Sequence, residues 1–371
     1  MQTQAAVLNQ ANGPFAIETI DVGEPQGNEV RVAIKAVGIY HTDLVIASGA
    51  LGLQFPAVLG HEGAGIVDAV GPQVTSVKPG DKVLLTFNSC GQCRHCNDDH
   101  PAYCQSFMAL NMVCARSDGS TRLHKRTQGG EAAVADNFFG QSSFAGLAIA
   151  NERNVLKIDD NADLAALAPL GCGIQTGVGA VLRSLNGKAG ESLVVLGGGA
   201  VGLSAVMGGV IAGCSPIIVI EPQEGRRALA LELGATHVID PGAGDPVQAV
   251  RAIVPDGTDM VVDTSGYQPI LEAAVNMVGN LGRIGLIGVP GALDAVLPVP
   301  IMQWLSIGGT VRGIVEGDSD PKVFLPELIA HHAAGRLPLE KFAKTYRLDE
   351  INQAIDDAHH GKCIKAVLLI D

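Results

Sequence analysis

The chain has 371 residues, 47% of them hydrophobic and 17% charged, with a net charge of -13. That length exceeds one ordinary core and predicts two domains; the composition is globular, and the acidic balance argues against nucleic acid or an anionic membrane as a partner. Met1–Ala11 has neither a basic start nor an apolar core, so no secretory signal is expected, and the expected location is cytoplasmic.

Residues 1 to about 150 are rich in short β-like runs separated by Gly and Pro turns. Examples are Glu29–Ala36, Gly65–Val70 and Lys82–Leu85, the last entered through Lys78-Pro79-Gly80-Asp81. This half reads as a mostly antiparallel β domain. Within it lies Cys90-x-x-Cys93-x-x-Cys96-x7-Cys104. Clustered cysteines without an export signal point to metal rather than disulfides. Four thiolates suit tetrahedral zinc, and a site with no open position is structural. An iron–sulfur cluster is the alternative, but nothing else here suggests an electron-transfer chain.

From about residue 174 the pattern changes. Leu193–Leu196, Ile217–Glu221, His237–Ile239, Met260–Asp263 and Arg283–Ile287 read as strands, with helices such as Arg226–Leu233 and Pro269–Val278 between them. That alternation predicts a parallel sheet with crossover helices. Ser192–Ile220 contains no charged residue, which a hydropathy window would flag as a membrane span. Gly197, Gly198, Gly199, Gly208, Gly209 and Pro216 divide it instead into strand, turn, helix and strand, and strands buried on both faces read as apolar runs. After about 315 come helices over Pro321–Ala334 and Leu348–His359, then a strand over Ile364–Ile370.

Gly197-Gly198-Gly199-Ala200-Val201-Gly202 follows the strand Ser192–Leu196 and opens a helix. In that setting G-x-G-x-x-G is a dinucleotide fingerprint. Gly197 permits the turn, Gly199 lets a pyrophosphate approach, and Gly202 allows close helix–strand packing. The helix N-terminus adds amide donors. Glu221, at the end of the next strand, is expected to accept from the adenosine ribose hydroxyls and to repel a ribose phosphate, favouring NAD over NADP. Arg226 and Arg227 follow closely, and Arg226 is taken as a further cofactor contact.

Together these features resemble the zinc-containing medium-chain alcohol dehydrogenases, over almost the whole chain. Gly60-His61-Glu62-x-x-Gly65-x5-Gly71, the four-cysteine lobe and Gly171-Cys172-Gly173 carry the resemblance. Phe138–Phe144 and Leu170–Gly177 look more narrowly like the benzyl (aryl) alcohol and geraniol dehydrogenase branch. The resemblance implies an α/β protein. A GroES-like catalytic domain over 1–173, with its zinc lobe at about 90–104, would be completed by 316–371. A Rossmann parallel-sheet domain would span 174–315, with nicotinamide meeting alcohol in the cleft between them. It further implies that His61 and Cys172 bind a catalytic zinc with Glu62 close by, and that Thr42 hydrogen-bonds the alcohol. His41 and Lys365 would contact the pyrophosphate, while Thr176 and Val289 would pack the nicotinamide. A homodimer or homotetramer is implied as well.

Two positions depart from that pattern. Where the family has its first zinc-binding cysteine, Gly38-Ile39-Tyr40-His41-Thr42-Asp43 holds Tyr40. A phenol ionises only near pH about 10 and is a harder, bulkier ligand than a thiolate. Three outcomes are ordered by preference: zinc held by His61, Cys172 and Glu62 with Tyr40 beside it; no catalytic zinc, with Tyr40 as proton donor; and Tyr40 as a phenolate ligand. An inactivating change at Tyr40 stays open. The second departure is Val45, where many relatives carry a proton-relay histidine; the aryl-alcohol branch is similar in lacking it.

The expected activity is NAD-dependent oxidation of aromatic or allylic primary alcohols to aldehydes, reversibly. The alternatives are a carbonyl or enone reductase using Tyr40 as acid, and a non-catalytic NAD(H)-binding scaffold. Cys114, Cys214 and Cys363 are expected as buried thiols and Trp304 as core or subunit interface. Phe87, Met108 and Met302 are candidates for an apolar substrate pocket.

Overall fold

Alternating short strands and tight turns in the first 150 residues build two sheets in the computed structural model, which describes residues 1–49, 52–292 and 294–371. The chain divides into two units: 1–172 with 320–329 and 339–371, and 173–319 with 330–338. The sequence places 1–173 and 316–371 in the first domain; the structure groups Gly173, 316–319 and 330–338 with the second unit.

In the first unit a five-stranded sheet runs in the order Ala57–Val58, Gln2–Leu8, Phe15–Val22, Leu123–Thr127, Gly130–Val134. The second sheet runs Val155–Lys157, Lys82–Leu85, Glu62–Val70, Glu29–Gly38, Lys365–Leu369, Ala343–Arg347, with Leu147–Asn151 also paired to Glu29–Gly38. Glu29–Gly38 is its hub because it is apolar along most of its length and buried at seven of ten positions. On one side Gly38 stands opposite Glu62; on the other it stands opposite Val367. The C-terminal strand thus completes the first unit's sheet.

The second unit is a six-stranded parallel sheet, in the order His237–Ile239, Ile217–Ile220, Leu193–Leu196, Thr258–Asp263, Val278–Leu286, Thr310–Gly313. Numbered by sequence this is 3-2-1-4-5-6, the doubly wound order of dinucleotide-binding folds, whose ligand crevice lies where the strand order reverses. Leu193–Leu196 and Ile217–Ile220 are buried at every position, as their uninterrupted apolar runs require. Trp304, on the helix Ile301–Ile307, is buried in this unit's core. Among the described residues no single helix is long and apolar enough to cross a membrane.

Candidate functional site

The cysteine lobe folds around backbone amides. Cys90 N donates to Cys104 Sγ at 3.3 Å, Cys93 N to Cys90 Sγ at 3.4 Å and Ser106 N to Cys104 Sγ at 3.4 Å. Sulfur separations are 3.9 Å for Cys90–Cys96, 3.5 Å for Cys93–Cys96 and 4.0 Å for Cys93–Cys104. A tetrahedron with Zn–S bonds of about 2.3 Å has edges of about 3.8 Å, so the four thiols fit one zinc ion. The amides of Gln105 and Cys96 hold the Cys93 thiol down at about 6, which favours the ligating thiolate. Burial pushes Cys104 up to about 12, an opposition that a dication would resolve. Arg153 fastens the lobe to the sheet, its guanidinium donating to Ser89 O at 2.9 Å and Ser89 Oγ at 3.0 Å.

A second cluster gathers around His61, fully buried at the start of strand Glu62–Val70. Its Nδ1 lies 2.9 Å from Asp43 Oδ1, and the same carboxylate accepts from Gly60 N at 3.1 Å and Tyr40 N at 2.9 Å. With Nδ1 donating to that carboxylate, the neutral imidazole has its lone pair on Nε2. This is the tautomer of a metal-binding histidine held by a carboxylate. The imidazole stacks on Phe139 at 4.4 Å between centroids and 25° between planes, and meets Phe138 edge-on at 5.3 Å. Phe139 is in the left-handed region at φ 50°. For a bulky residue that costs on the order of 1–3 kcal/mol, a strain retained here beside the imidazole. Tyr40 lies on another side, 5.8 Å from the His61 ring.

Glu62, next in sequence, pairs with Lys365 Nζ at 2.5 Å, both side chains buried. Lys365 also donates to Ile39 O at 3.1 Å, and its ammonium is 5.2 Å from the centre of the Tyr40 ring. The residue expected to contact a pyrophosphate is thus engaged here by Glu62 and the Ile39 carbonyl. The sheet register brings it beside Glu62, where an isolated buried carboxylate would be costly. A Cβ on Gly38 would lie 1.8 Å from Glu62 Oε2, so only glycine leaves room for the pair. Cys172 is buried at the end of the first unit, behind Gly171, whose carbonyl accepts from Thr86 Oγ1 at 2.8 Å. The donor chemistry of His61 and Cys172, an imidazole and a thiol, fits zinc. Thr42 is half-buried and His41 exposed on the helix His41–Ala47.

In the second unit Gly197 adopts φ 99°, and a Cβ at Gly202 would meet Gly197 O at 1.9 Å. Nothing lies within 4 Å of a Cβ placed on Gly199, leaving space where the pyrophosphate was expected. Glu221 is buried and accepts from Gly198 N at 2.6 Å and Gln223 N at 2.9 Å. It therefore shapes the loop as well as facing it. Arg227 caps the Glu221 and Pro222 carbonyls and pairs with Asp240 at 3.2 Å, so its charge is already committed within the unit. Arg226 lies against the loop: its Cβ would be 3.3 Å from a Cβ on Gly198, and its Nε is buried without a partner. Thr176 is buried on helix Gly173–Gly179, and Val289 is exposed.

The three residues offered for an apolar substrate pocket separate. Phe87 is in the first unit's core, whereas Met108 and Met302 are 56% and 77% exposed. Cys114, Cys214 and Cys363 are buried free thiols. Asp43 was assigned no role from sequence, although its place beside Tyr40-His41-Thr42 was visible; its partner is 18 residues away.

A doubly wound sheet with its glycine loop, joined in one chain to a β unit with a four-thiolate lobe, defines a dinucleotide-dependent, zinc-bearing dehydrogenase. Two family models match: the alcohol dehydrogenase GroES-like domain over residues 26–160 and the zinc-binding dehydrogenase over 200–330. Geraniol dehydrogenase of Castellaniella defragrans is 45% identical over 371 residues, covering 100% of this chain and 98% of that protein. The crystal structure of benzyl alcohol dehydrogenase from Acinetobacter calcoaceticus is 39% identical with a TM-score of 0.95, covering 100% of both chains. An alcohol dehydrogenase zinc-binding domain protein from Burkholderia ambifaria is 44% identical with a TM-score of 0.96, covering 100% of this chain and 99% of that one. The chain belongs to the zinc-containing medium-chain alcohol dehydrogenases, in their aryl-alcohol and geraniol branch, a family of NAD-dependent enzymes.

Proposed function

We propose that the protein oxidises primary alcohols whose carbinol carbon adjoins a π-system, benzylic or allylic, to aldehydes, and reduces the aldehydes in reverse. The observation that carries this reading is the His61 imidazole, oriented by Asp43 and flanked by Phe138 and Phe139. The relatives named for geraniol and benzyl alcohol, similar over the full chain, support the substrate class.

In this reading His61, Cys172 and Glu62 hold a catalytic zinc, with Tyr40 beside them. Bound there, zinc would supply Lewis acidity that lowers the pKa of an alcohol. Asp43 keeps the Nδ1 proton in place and raises the basicity of Nε2. Thr42 accepts the alcohol's proton and passes it to water or a ribose hydroxyl, since Val45 offers no imidazole. Glu221 and Arg226 hold the adenosine ribose, Gly197, Gly199 and Gly202 admit the pyrophosphate with His41 contacting it, and Thr176 and Val289 orient the nicotinamide. NAD itself supplies the hydride chemistry.

The reading is tested by NADH formation with benzyl alcohol, geraniol and ethanol at matched concentrations. Faster turnover of the first two is expected, and no turnover of any in zinc-replete protein rejects it. Elemental analysis is expected to give about two zinc ions per chain; a count near one, unchanged by added zinc, removes the catalytic zinc and favours the reductase using Tyr40 as acid.

We further infer that the protein assembles as a homo-oligomer through the sheet edge Thr310–Gly313. All four residues of that strand are exposed, and Ile301, Met302 and Leu305 on the preceding helix are exposed too. An exposed edge strand beside exposed apolar side chains is suited to a contact with a second strand. A copy related by a two-fold axis presents the same edge antiparallel, which closes the contact.

A further inference from the structure

We propose that Gln141 is a positioning residue that fixes His61 and the Gly171–Cys172 turn relative to each other, and so sets the geometry of the proposed metal pair. The inference rests on the reading of His61 and Cys172 as metal ligands.

Gln141 is 1% exposed, and its amide makes four hydrogen bonds. Nε2 donates to His61 O at 2.8 Å and Thr86 O at 3.2 Å. Oε1 accepts from Gly63 N at 3.0 Å and Ser143 Oγ at 2.9 Å. Two carbonyls on one side and two donors on the other allow only this orientation of the amide. Gln141 therefore grips the backbone on both sides of Glu62, at His61 and at Gly63. Through Thr86, whose hydroxyl donates to Gly171 O at 2.8 Å, the same network reaches the residue before Cys172. Asn154 Nδ2 also donates to Thr86 O, at 3.2 Å, so that carbonyl is held from two directions.

His61 and Cys172 are far apart in sequence and lie on different elements. Backbone pairing alone leaves each turn its own freedom, and displacements well under 1 Å matter to metal geometry. A fully satisfied buried amide joining the two removes that freedom. Its neighbour Ser142 gives an internal contrast. Ser142 is equally buried and donates to Val58 O at 2.7 Å while accepting from Phe138 N at 2.9 Å. It anchors the same loop but touches neither metal-binding turn.

The test compares Gln141→Met and Ser142→Ala with wild type in full-length protein whose zinc has been replaced by cobalt(II). Readouts are the cobalt content per chain, the thiolate-to-cobalt and d–d absorption bands, NADH affinity, and kcat and KM for benzyl alcohol. Gln141→Met is expected to bind the second cobalt about 10–100-fold more weakly. Its d–d bands should shift and kcat fall, while NADH affinity and the four-cysteine site stay as in wild type. Ser142→Ala is expected to leave the bands unchanged. If Gln141→Met fails to accumulate, Gln141→Glu is measured instead; it keeps the Gly63 and Ser143 bonds and turns an oxygen toward the two carbonyls. Wild-type bands and cobalt affinity in the Gln141 variant, or equal losses in both variants, overturn the proposal alone. A wild-type protein that takes up no second cobalt overturns it together with the metal-site reading.

Discussion

Asp43 decides what His61 can do. Its carboxylate accepts from three donors, Tyr40 N, Gly60 N and the imidazole Nδ1. Asparagine offers one acceptor oxygen and turns an amine toward a donor. Asp43→Asn is therefore expected to lower kcat/KM, or the affinity of the second metal, by about 10–100-fold while the four-cysteine zinc is retained; steady-state kinetics with elemental analysis checks this. Tyr40→Cys adds a soft thiolate beside His61 and is expected to retain more zinc after dialysis against a mild chelator. Glu62, Cys172 and His61 stand out as candidates through short motifs. Gln141 does not, because its partners lie 78 and 80 residues away and no local pattern announces them. Lys365 is read from the resemblance as a pyrophosphate contact, and its pairing with Glu62 becomes visible only once the sheet register is known.

At the scale of elements, apolar runs and glycine spacing made the second unit readable: Leu193–Leu196 and His237–Ile239 were placed with their observed bounds. Local periodicity suffices there because each strand–helix unit is short and contiguous. The first unit was legible as β but not in its pairing, since strands such as Glu29–Gly38 and Lys365–Leu369 meet across the whole chain. Short turns carry their own electrostatics. Glu152 accepts from Thr75 N and Ser76 N, both at 2.6 Å. Burial alone would raise its pKa, but those amides outweigh it and hold the carboxyl at about 2. A depressed folded-state value means the contribution is complete above the ordinary glutamate range and disappears as pH falls toward 2. Glu152→Gln is expected to lower the melting temperature at neutral pH and to flatten its decline across that acidic window, as thermal melts at stepped pH would record. Gly202→Ala, which would drive a methyl group to 1.9 Å from Gly197 O, is expected to weaken NADH binding by at least about 10-fold with the cysteine zinc unaffected; a fluorescence titration reads it.

At the scale of the whole molecule, the acidic surface and the open sheet edge answer different questions. A net charge of -13 keeps copies apart at long range, while the Thr310–Gly313 edge favours one close contact. Val311→Lys, on that edge, adds like charges across a two-fold contact and is expected to shift the protein toward monomer. Light scattering after size-exclusion chromatography measures it, and an unchanged mass removes this edge as the interface. The joining of Lys365–Leu369 to Glu29–Gly38 has a consequence for how the protein is made. Synthesis delivers residues 173–319 as one uninterrupted stretch, so the parallel sheet can form while the ribosome is still translating. The β unit has to wait: until the final strand emerges, the Ala36–Gly38 end of its hub strand lacks that partner and Glu62 lacks Lys365. A nascent chain halted before residue 360 should therefore yield a protease-resistant parallel-sheet fragment attached to a digestible N-terminal half.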